Sequence, residues 1–246
     1  GKKELFEGLA IEKMETEWKK YPVLHLDLNA KKYETPADLI AMLNQTLEKW
    51  EIVYGNEKKD RSPEERFAYV IERAYEQAGC GVVVLVDEYD KPLLQALDND
   101  ALLEDYRKTL KAFYGVLKSA DRYLRFAFLT GVTKFSQVSV FSDLNQLNDI
   151  SLDYSYATVC GITRTELVET FTPEIEEFGR VNKLSAEETV DKMARQYDGY
   201  HFHPKGDGVF NPFSVLNAFS KRELGDYWFQ TGTPTFLVEM LRKSEY

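Results

Sequence analysis

Residues 82–94 read VVVLVDEYDKPLL, in which five apolar residues are followed directly by two adjacent carboxylates. An uninterrupted apolar run of this length is typical of a strand buried within a parallel sheet. Residues 124–129, LRFAFL, form a second run of this type, and residues 23–28, VLHLDL, form a third that alternates in part. A weaker fourth strand is predicted over residues 157–162.

Helices are predicted between these strands. Thr35 before Pro36, and Ser62 before Pro63, place a capping hydroxyl ahead of a proline at the first helical position. Apolar residues then recur at helical spacing, and a further helix is expected over residues 102–117. Strands that alternate with helices predict an α/β fold, here a three-layer arrangement in which helices cover both faces of a parallel sheet.

Polar residues follow three of the predicted strands. The residues that lie at or just after the strand ends are Asp27, the pair Asp87 and Glu88, and the two threonines Thr130 and Thr133. Parallel sheets bind ligands beyond the carboxyl ends of their strands, so these groups are expected to converge on one edge. Capping of the following turn is the more common role for a residue placed like Asp27.

The pattern changes after about residue 163. Short helices with capping boxes are predicted there, and residues 200–213, YHFHPKGDGVFNPF, have the alternation and turn residues of a β-hairpin. We expect an α/β core over residues 1–165 and a smaller, mostly helical subdomain with a hairpin over residues 166–246.

The three histidines are weak candidates for chemistry. His201 and His203 offer two imidazoles to a metal, although histidines of a hairpin more often alternate toward solvent. His25 lies between two leucines, and we expect it to pack within its strand.

The amino-acid composition argues against several classes of protein. The net charge of −10 and the pI near 5.0 argue against general binding to nucleic acid or to an anionic membrane. The two cysteines suit a reducing compartment, and no apolar run approaches the ~20 residues that span a bilayer. We expect a cytoplasmic protein with no membrane partner. Because the apolar pattern begins almost at the first residue, Gly1, we also expect the chain to be part of a longer protein.

Asp87 and Glu88 are the strongest candidates for catalysis. An Asp at the carboxyl end of a buried strand can hold a hydrated Mg²⁺, and the Glu beside it can polarise a water that attacks a terminal phosphate. The alternative is that the pair opens a solvated turn, with Asp90 capping a helix that begins near Pro92.

A phosphate-binding loop is not present in the sequence. Such loops read G-x-x-x-x-G-K-[ST], and their backbone N–H groups and lysine hold the phosphates. The only Gly-Lys pair here is Gly1-Lys2, without a glycine loop before it. Losing about three charge-assisted hydrogen bonds weakens nucleotide binding by roughly a thousandfold.

Several long motifs together resemble the bacterial AAA-ATPase-like family, whose members often carry a PD-(D/E)XK-type nuclease domain downstream. They are VVVLVDEYDKPL, LTGVTKFSQVSVFSDLNQLNDIS, YDGYHF, NPFSVLNAFS and YWFQTGTPTFL, and they span essentially the whole chain in order. The resemblance implies a P-loop ATPase fold of the additional-strand type, with VVVLVDE as the Walker B strand and LTGVT as the strand that carries a polar sensor.

The resemblance also implies roles for individual residues. Asp87 would associate with Mg²⁺ through water, Glu88 would be the catalytic carboxylate, and Thr130, or alternatively Thr133, would be the phosphate-sensing hydroxyl. Asp87 and Thr133 would contact the nucleotide. Mg²⁺ and ATP would be the cofactors of the complete protein, whose partners would include a downstream nuclease-like domain or another protein.

The chain departs from the family at its start. Family members begin earlier, with a strand and a Gly-Lys-Ser loop, so residues 1–246 alone are expected neither to bind nor to hydrolyse ATP. The missing first strand would lie between the sensor strand and the last strand, and its loss would leave an unpaired edge. We expect that gap to be filled by a neighbouring chain, through self-association, or by residues 157–162.

Two functions remain open at this point. The first is an ATP-hydrolysing switch whose nucleotide state moves the helical subdomain and controls a partner. The second is a non-catalytic interaction module that keeps the fold as a scaffold and binds through the hairpin and C-terminal helices.

Overall fold

The computed structural model describes residues 2–132, 140 and 146–228, and it divides into two compact units, residues 1–147 and residues 148–246. Each unit has a hydrophobic core of its own. Among the described residues, no helix is both long enough and apolar enough to cross a bilayer.

The first unit contains a three-stranded parallel sheet. Its strands are β1 (Val23–Asp27), β2 (Val82–Asp87) and β3 (Leu124–Leu129), in the spatial order β1-β2-β3. Three of the four predicted strands are confirmed. In the register of the sheet, Asp27 lies opposite Asp87, and Val86 lies opposite Leu129. The carboxyl ends of the strands therefore meet at one edge.

Five α-helices accompany this sheet in the described residues of the first unit. They are α1 (Ala10–Met14), α2 (Pro36–Tyr54), α3 (Pro63–Ala78), α4 (Lys91–Gln95) and α5 (Asp100–Ser119). The predicted starts of α2 and α3 are confirmed, since the side chains of Asp38 and Glu65 accept hydrogen bonds from the backbone N–H groups of Thr35 and Ser62. Short 3₁₀ helices occupy Lys3–Phe6, Leu28–Ala30 and Asp121–Tyr123.

Helices cover one face of the sheet and leave the other face open in the described part of the chain. The covered face carries Leu24, Leu26, Val82, Val84 and Val86, which pack in one core with α2, α3 and α5. On the opposite face Val23 is 50% exposed and Phe126 is 54% exposed. The expected helical layer on this second face is therefore wrong for the described residues.

His25 also lies on the open face. It alternates with the buried leucines of β1 and is exposed, so the expectation that it packs within the sheet is wrong. The physical reason is that side chains alternate between the two faces of a strand, so His25 lies on the same face as Val23 and on the opposite face from its immediate neighbours.

The second unit contains four α-helices in its described residues and a small antiparallel hairpin. Its helices are α6 (Arg164–Thr170), α7 (Thr172–Asn182), α8 (Ala186–Tyr197) and α9 (Pro212–Lys221), with a 3₁₀ helix at Tyr154–Tyr156. β4 (Asp198–Tyr200) pairs with β5 (Val209–Phe210), and residues 201–208 connect them. Both His201 and His203 lie in this connection rather than in a strand.

The predicted fourth strand over residues 157–162 is wrong. Most of this segment forms turns, and its one ladder contact is an antiparallel bridge from Ile162 to Phe210 of β5. A Cβ at Gly161 would lie 2.4 Å from the Val209 Cβ, so the segment is packed closely against the hairpin. Residues 157–162 therefore do not form the strand expected to fill the gap in the sheet.

Candidate functional site

Asp87 and Thr130 meet at the carboxyl edge of the parallel sheet. Asp87 is the last residue of β2, and Thr130 follows directly after β3. The Thr130 N–H donates to the Val86 carbonyl at 2.9 Å, which extends the ladder past the end of the strand. The Thr130 hydroxyl then donates to Asp87 Oδ1 at 2.6 Å. Two residues predicted to share a site, 43 positions apart in sequence, are thus in direct contact.

Glu88 turns the chain sharply at the end of β2. Its φ of 55° lies in the left-handed region, which costs a residue with a Cβ about 1–2 kcal/mol. The turn brings the backbone N–H of Tyr89 back to the carbonyl of Thr130, to which it donates at 2.8 Å. The unusual backbone of Glu88 is therefore held by a contact between the same two strand ends.

The environment of Glu88 favours its protonated form. Burial is the largest cause that raises the pKa of Glu88, and the negative charge of Asp90 comes next. Asp87 and Asp27 raise this pKa further, whereas Lys91 opposes the shift. A partly buried carboxylate with a raised pKa is better suited to accept a proton than an ordinary surface carboxylate.

Asp27 does not contact Asp87 in the way that Thr130 does. Its carboxylate accepts a hydrogen bond from the Asn29 N–H at 2.8 Å and so caps the 3₁₀ helix that follows β1. The capping role expected for Asp27 is confirmed. Asp27 lies opposite Asp87 in the register of the sheet, and its negative charge contributes to the raised pKa of Glu88.

Asp90 has a role that sequence reasoning missed. It stands at the N-cap position of α4 but makes no capping hydrogen bond through its side chain. The side chain is instead buried, and Asp90 Oδ1 accepts a hydrogen bond from the Val132 N–H at 3.2 Å. Gly131, next to Thr130, was the one available signal, because such a glycine marks a place where another group approaches the backbone closely.

The Asp87 carboxylate is a group at this edge that could hold a Mg²⁺ ion. The described residues contain no cluster of three or more His, Cys, Asp or Glu side chains that could hold a metal ion, at the sheet edge or at His201 and His203. Mg²⁺ in nucleotide sites is usually bound through one or two carboxylates, waters and phosphate oxygens. The Asp87 carboxylate is exposed and offers the hard oxygen ligands that this mode requires. Thr133, the alternative sensor, lies outside the described residues.

The part of the chain that contains this edge of the parallel sheet also identifies the family. Residues 1–141 match the family described as "Predicted AAA-ATPase". The chain belongs to this AAA-ATPase-like family. The matched segment contains the three strands together with Asp87, Glu88 and Thr130.

One relative of this AAA-ATPase-like chain matches the second unit as well. It is an uncharacterised protein in the vnfD 5′ region of Azotobacter chroococcum mcd 1, 39% identical over 241 residues. The alignment covers 98% of this chain and 44% of that protein, so the chain spans less than half the length of its relative. No solved structure matches the chain.

The AAA-ATPase-like chain has a cavity of about 500 Å³ away from the carboxylate edge, around residues of α2 and α3. Its wall includes the buried pair Glu51 and Arg66, which hydrogen-bond each other through two contacts of 2.7 Å. These two charged groups are paired with each other, and the wall also carries the charged residues Glu48, Lys59 and Asp60. The contact between Asp87 and Thr130 favours the sheet edge as the candidate site.

Proposed function

We propose that this chain carries the acidic half of an ATP-hydrolysing site and that the complete protein acts as a regulatory switch. The observation that carries the proposal is the hydrogen bond from Thr130 to Asp87, with Glu88 at the same edge. A Walker B carboxylate and a polar sensor residue need this proximity, because both act on the same terminal phosphate. Membership of the AAA-ATPase-like family supports this assignment.

Each residue has a separate role in the proposal. Asp87 would hold Mg²⁺ through water, and the ion would neutralise charge on the phosphates. Glu88 would accept a proton from the attacking water, for which its raised pKa is suited. Thr130 would keep the Asp87 carboxylate in one orientation and report the presence of the terminal phosphate.

The proposal requires a phosphate-binding loop from outside residues 1–246, since the sequence contains none. β3 pairs with β2 alone among the described strands, so its other edge is available to a further strand. Phe126 and Phe128 are exposed on the face next to that edge, and their rings stack at 6.0 Å. A strand and helix that carry the loop would cover these rings. A strand from a second copy would meet the same requirement.

Hydrolysis of MgATP by the full-length gene product tests the proposal. Glu88→Gln removes the proton acceptor while keeping size and shape, and we expect turnover to fall by roughly 10²–10⁴ with MgATP binding retained. Glu169→Gln, an exposed substitution on α6, is the matched control and should leave turnover unchanged. Equal turnover in the wild type and Glu88→Gln would refute the assignment.

A non-catalytic interaction module is the second candidate. The observation that favours it is the exposed apolar surface of the second unit, where Phe213 and Leu216 of α9 are 45% and 51% exposed. The two side chains lie three positions apart and therefore on the same side of the helix, and a contiguous exposed apolar patch is a common mark of a protein contact. A full-length protein that folds but binds no MgATP would favour this function over the switch.

A further inference from the structure

The geometry points to Asp90 as a positioning residue of the proposed hydrolytic site, an inference that rests on the proposed function. Asp90 lies two residues beyond Glu88, and it holds the loop that carries Thr130. Through this loop it keeps the Thr130 hydroxyl on the Asp87 carboxylate.

The carboxylate of Asp90 is in an unusual place for a charged group. Its residue is 0% exposed, while Asp87, three positions earlier, is exposed. Burying a carboxylate is unfavourable unless hydrogen bonds satisfy it. Asp90 Oδ1 accepts the Val132 N–H across 42 positions of sequence, so the buried carboxylate connects the end of β2 to the loop after β3.

Gly131 shows how closely these two segments approach. A Cβ at this position would lie 2.6 Å from Tyr89 Cε1 and 2.7 Å from Asp90 Oδ1. Both distances are shorter than van der Waals contact allows, so any residue larger than glycine must push the loop away. Gly131 is thus needed here for close packing.

The segment after β2 and the loop after β3 are joined by a hydrogen bond on each side of Gly131. On one side, the Tyr89 N–H donates to the Thr130 carbonyl at 2.8 Å. On the other side, the Val132 N–H donates to Asp90. The fully buried Tyr114 of α5 adds a third contact, because its hydroxyl donates to the Tyr89 carbonyl at 3.2 Å. We name these residues, Tyr89, Asp90, Tyr114 and Gly131, the edge clamp.

The edge clamp explains why Thr130 is aligned with Asp87. The backbone of Thr130 is held at both ends, through its N–H to the Val86 carbonyl and through its carbonyl to the Tyr89 N–H. The position of its side chain is then set by the backbone. Without the hydrogen bond that the Val132 N–H donates to Asp90, the loop after Gly131 is no longer held. The Thr130 hydroxyl can then move away from Asp87. Displacements of about 1 Å at a reacting group can reduce rates by about a hundredfold.

Steady-state hydrolysis of MgATP by the full-length gene product separates positioning from other roles. Asp90→Ala removes the acceptor, whereas Asp90→Asn keeps an oxygen in the same place. We expect Asp90→Ala to lower kcat by at least about tenfold with the KM for MgATP within about twofold, and Asp90→Asn to restore most of kcat. Asp105→Ala, an exposed Asp of α5, is the control. A wild-type kcat in Asp90→Ala, or equal defects in both Asp90 variants, would overturn the inference.

Amide hydrogen exchange tests the edge clamp without hydrolysis. In the same full-length proteins, Asp90→Ala and Gly131→Ala should speed exchange at Tyr89 and Val132 by at least about tenfold, with Val84 in the centre of β2 unchanged. Gly115→Ala is the matched glycine control, because a Cβ there meets nothing within 4 Å. Unchanged exchange at Tyr89 and Val132 would refute the clamp, whatever the hydrolysis result. A wild type that hydrolyses no ATP would refute the proposed function alone.

Discussion

The Thr130 hydroxyl donates a hydrogen bond of 2.6 Å to the Asp87 carboxylate, across the ends of two neighbouring parallel strands. A hydrogen bond to a charged group contributes about 1.5–3 kcal/mol when it is shielded from water, and less when it is exposed. Thr130 is partly buried and Asp87 is exposed, so the main effect of the bond is to orient the carboxylate.

Removal of the Thr130 hydroxyl is expected to impair hydrolysis more than folding. Thr130→Val keeps the shape of the side chain but has no donor, so kcat for MgATP in the full-length protein should fall about 10- to 100-fold. Thr130→Ser keeps the donor and should remain within a few-fold of the wild type. The free energy of unfolding should change by no more than about 1 kcal/mol in either variant. Similar rates in Thr130→Val and the wild type would contradict the sensor role.

The stability of the wild type relative to Glu88→Gln is expected to depend on pH. The pKa of Glu88 is raised above its ordinary value of 4.5 in the folded state. The folded state therefore binds the proton more tightly, so the contribution of Glu88 is fully present below pH 4.5 and is lost as pH rises through the folded pKa. Urea unfolding at a series of pH values should show that the free energy of unfolding of Glu88→Gln increases relative to that of the wild type as pH rises. A constant difference would show that the carboxylate is not perturbed.

The buried ion pair between Glu51 and Arg66 is expected to be a major determinant of stability. Both residues are about 5% exposed, and Arg66 also donates to Asn44 at 2.7 Å. Glu51→Ala leaves a buried guanidinium unpaired and should lower the free energy of unfolding by about 3–5 kcal/mol. Replacing both partners together, Glu51→Leu with Arg66→Met, should recover most of that loss.

An exposed ion pair at the N-terminal end of α3 provides the control for this prediction. Arg61 and Glu65 lie 3.2 Å apart at the start of α3, and both side chains are more than half exposed. Arg61→Ala should change the free energy of unfolding by less than about 1 kcal/mol. Comparable losses in Glu51→Ala and Arg61→Ala, measured by urea unfolding, would show that burial does not set the strength of the inner pair.

Three buried tyrosines are expected to resist ionisation. Burial is the main cause that raises the pKa of Tyr106 to about 12, and it also raises the pKa values of Tyr33 and Tyr114 above their usual range. Each stabilises the folded state fully below pH 10.0, and this contribution is lost as pH rises further. The part of the tyrosinate absorbance that comes from these three residues should therefore appear only when the protein unfolds in alkali. Smooth titration of every tyrosine near pH 10 in folded protein would contradict the burial.

Residues 1–246 alone are expected to bind MgATP weakly. Their sequence lacks a phosphate-binding loop, so ~1 mM MgATP should not exceed the dissociation constant and should stabilise the fold by less than about 0.5 kcal/mol. The full-length gene product should show a larger increase in Tm under the same conditions. Strong stabilisation of residues 1–246, measured by thermal shift, would show that the phosphates are held by residues present in this chain.

The sequence by itself determined the elements of the first unit. The apolar run before Asp87 predicted β2, and the residue pairs Thr35-Pro36 and Ser62-Pro63 predicted the starts of α2 and α3. These signals are local, because burial and capping depend on residues within one or two turns of each other. The same locality explains the capping role of Asp27, which accepts a hydrogen bond from a residue two positions away.

Tertiary structure alone decided which residues act together. The hydrogen bond that the Val132 N–H donates to Asp90 spans 42 positions of sequence. The residues around Asp90 in sequence do not show whether its side chain holds a distant loop or caps a helix. Residues 157–162 have the composition of a strand but pack as turns against the hairpin, and Phe126 has the composition of a core residue but lies on an open face. Local composition reports how apolar a segment is. Whether it is covered, and by what, depends on contacts between segments distant in sequence.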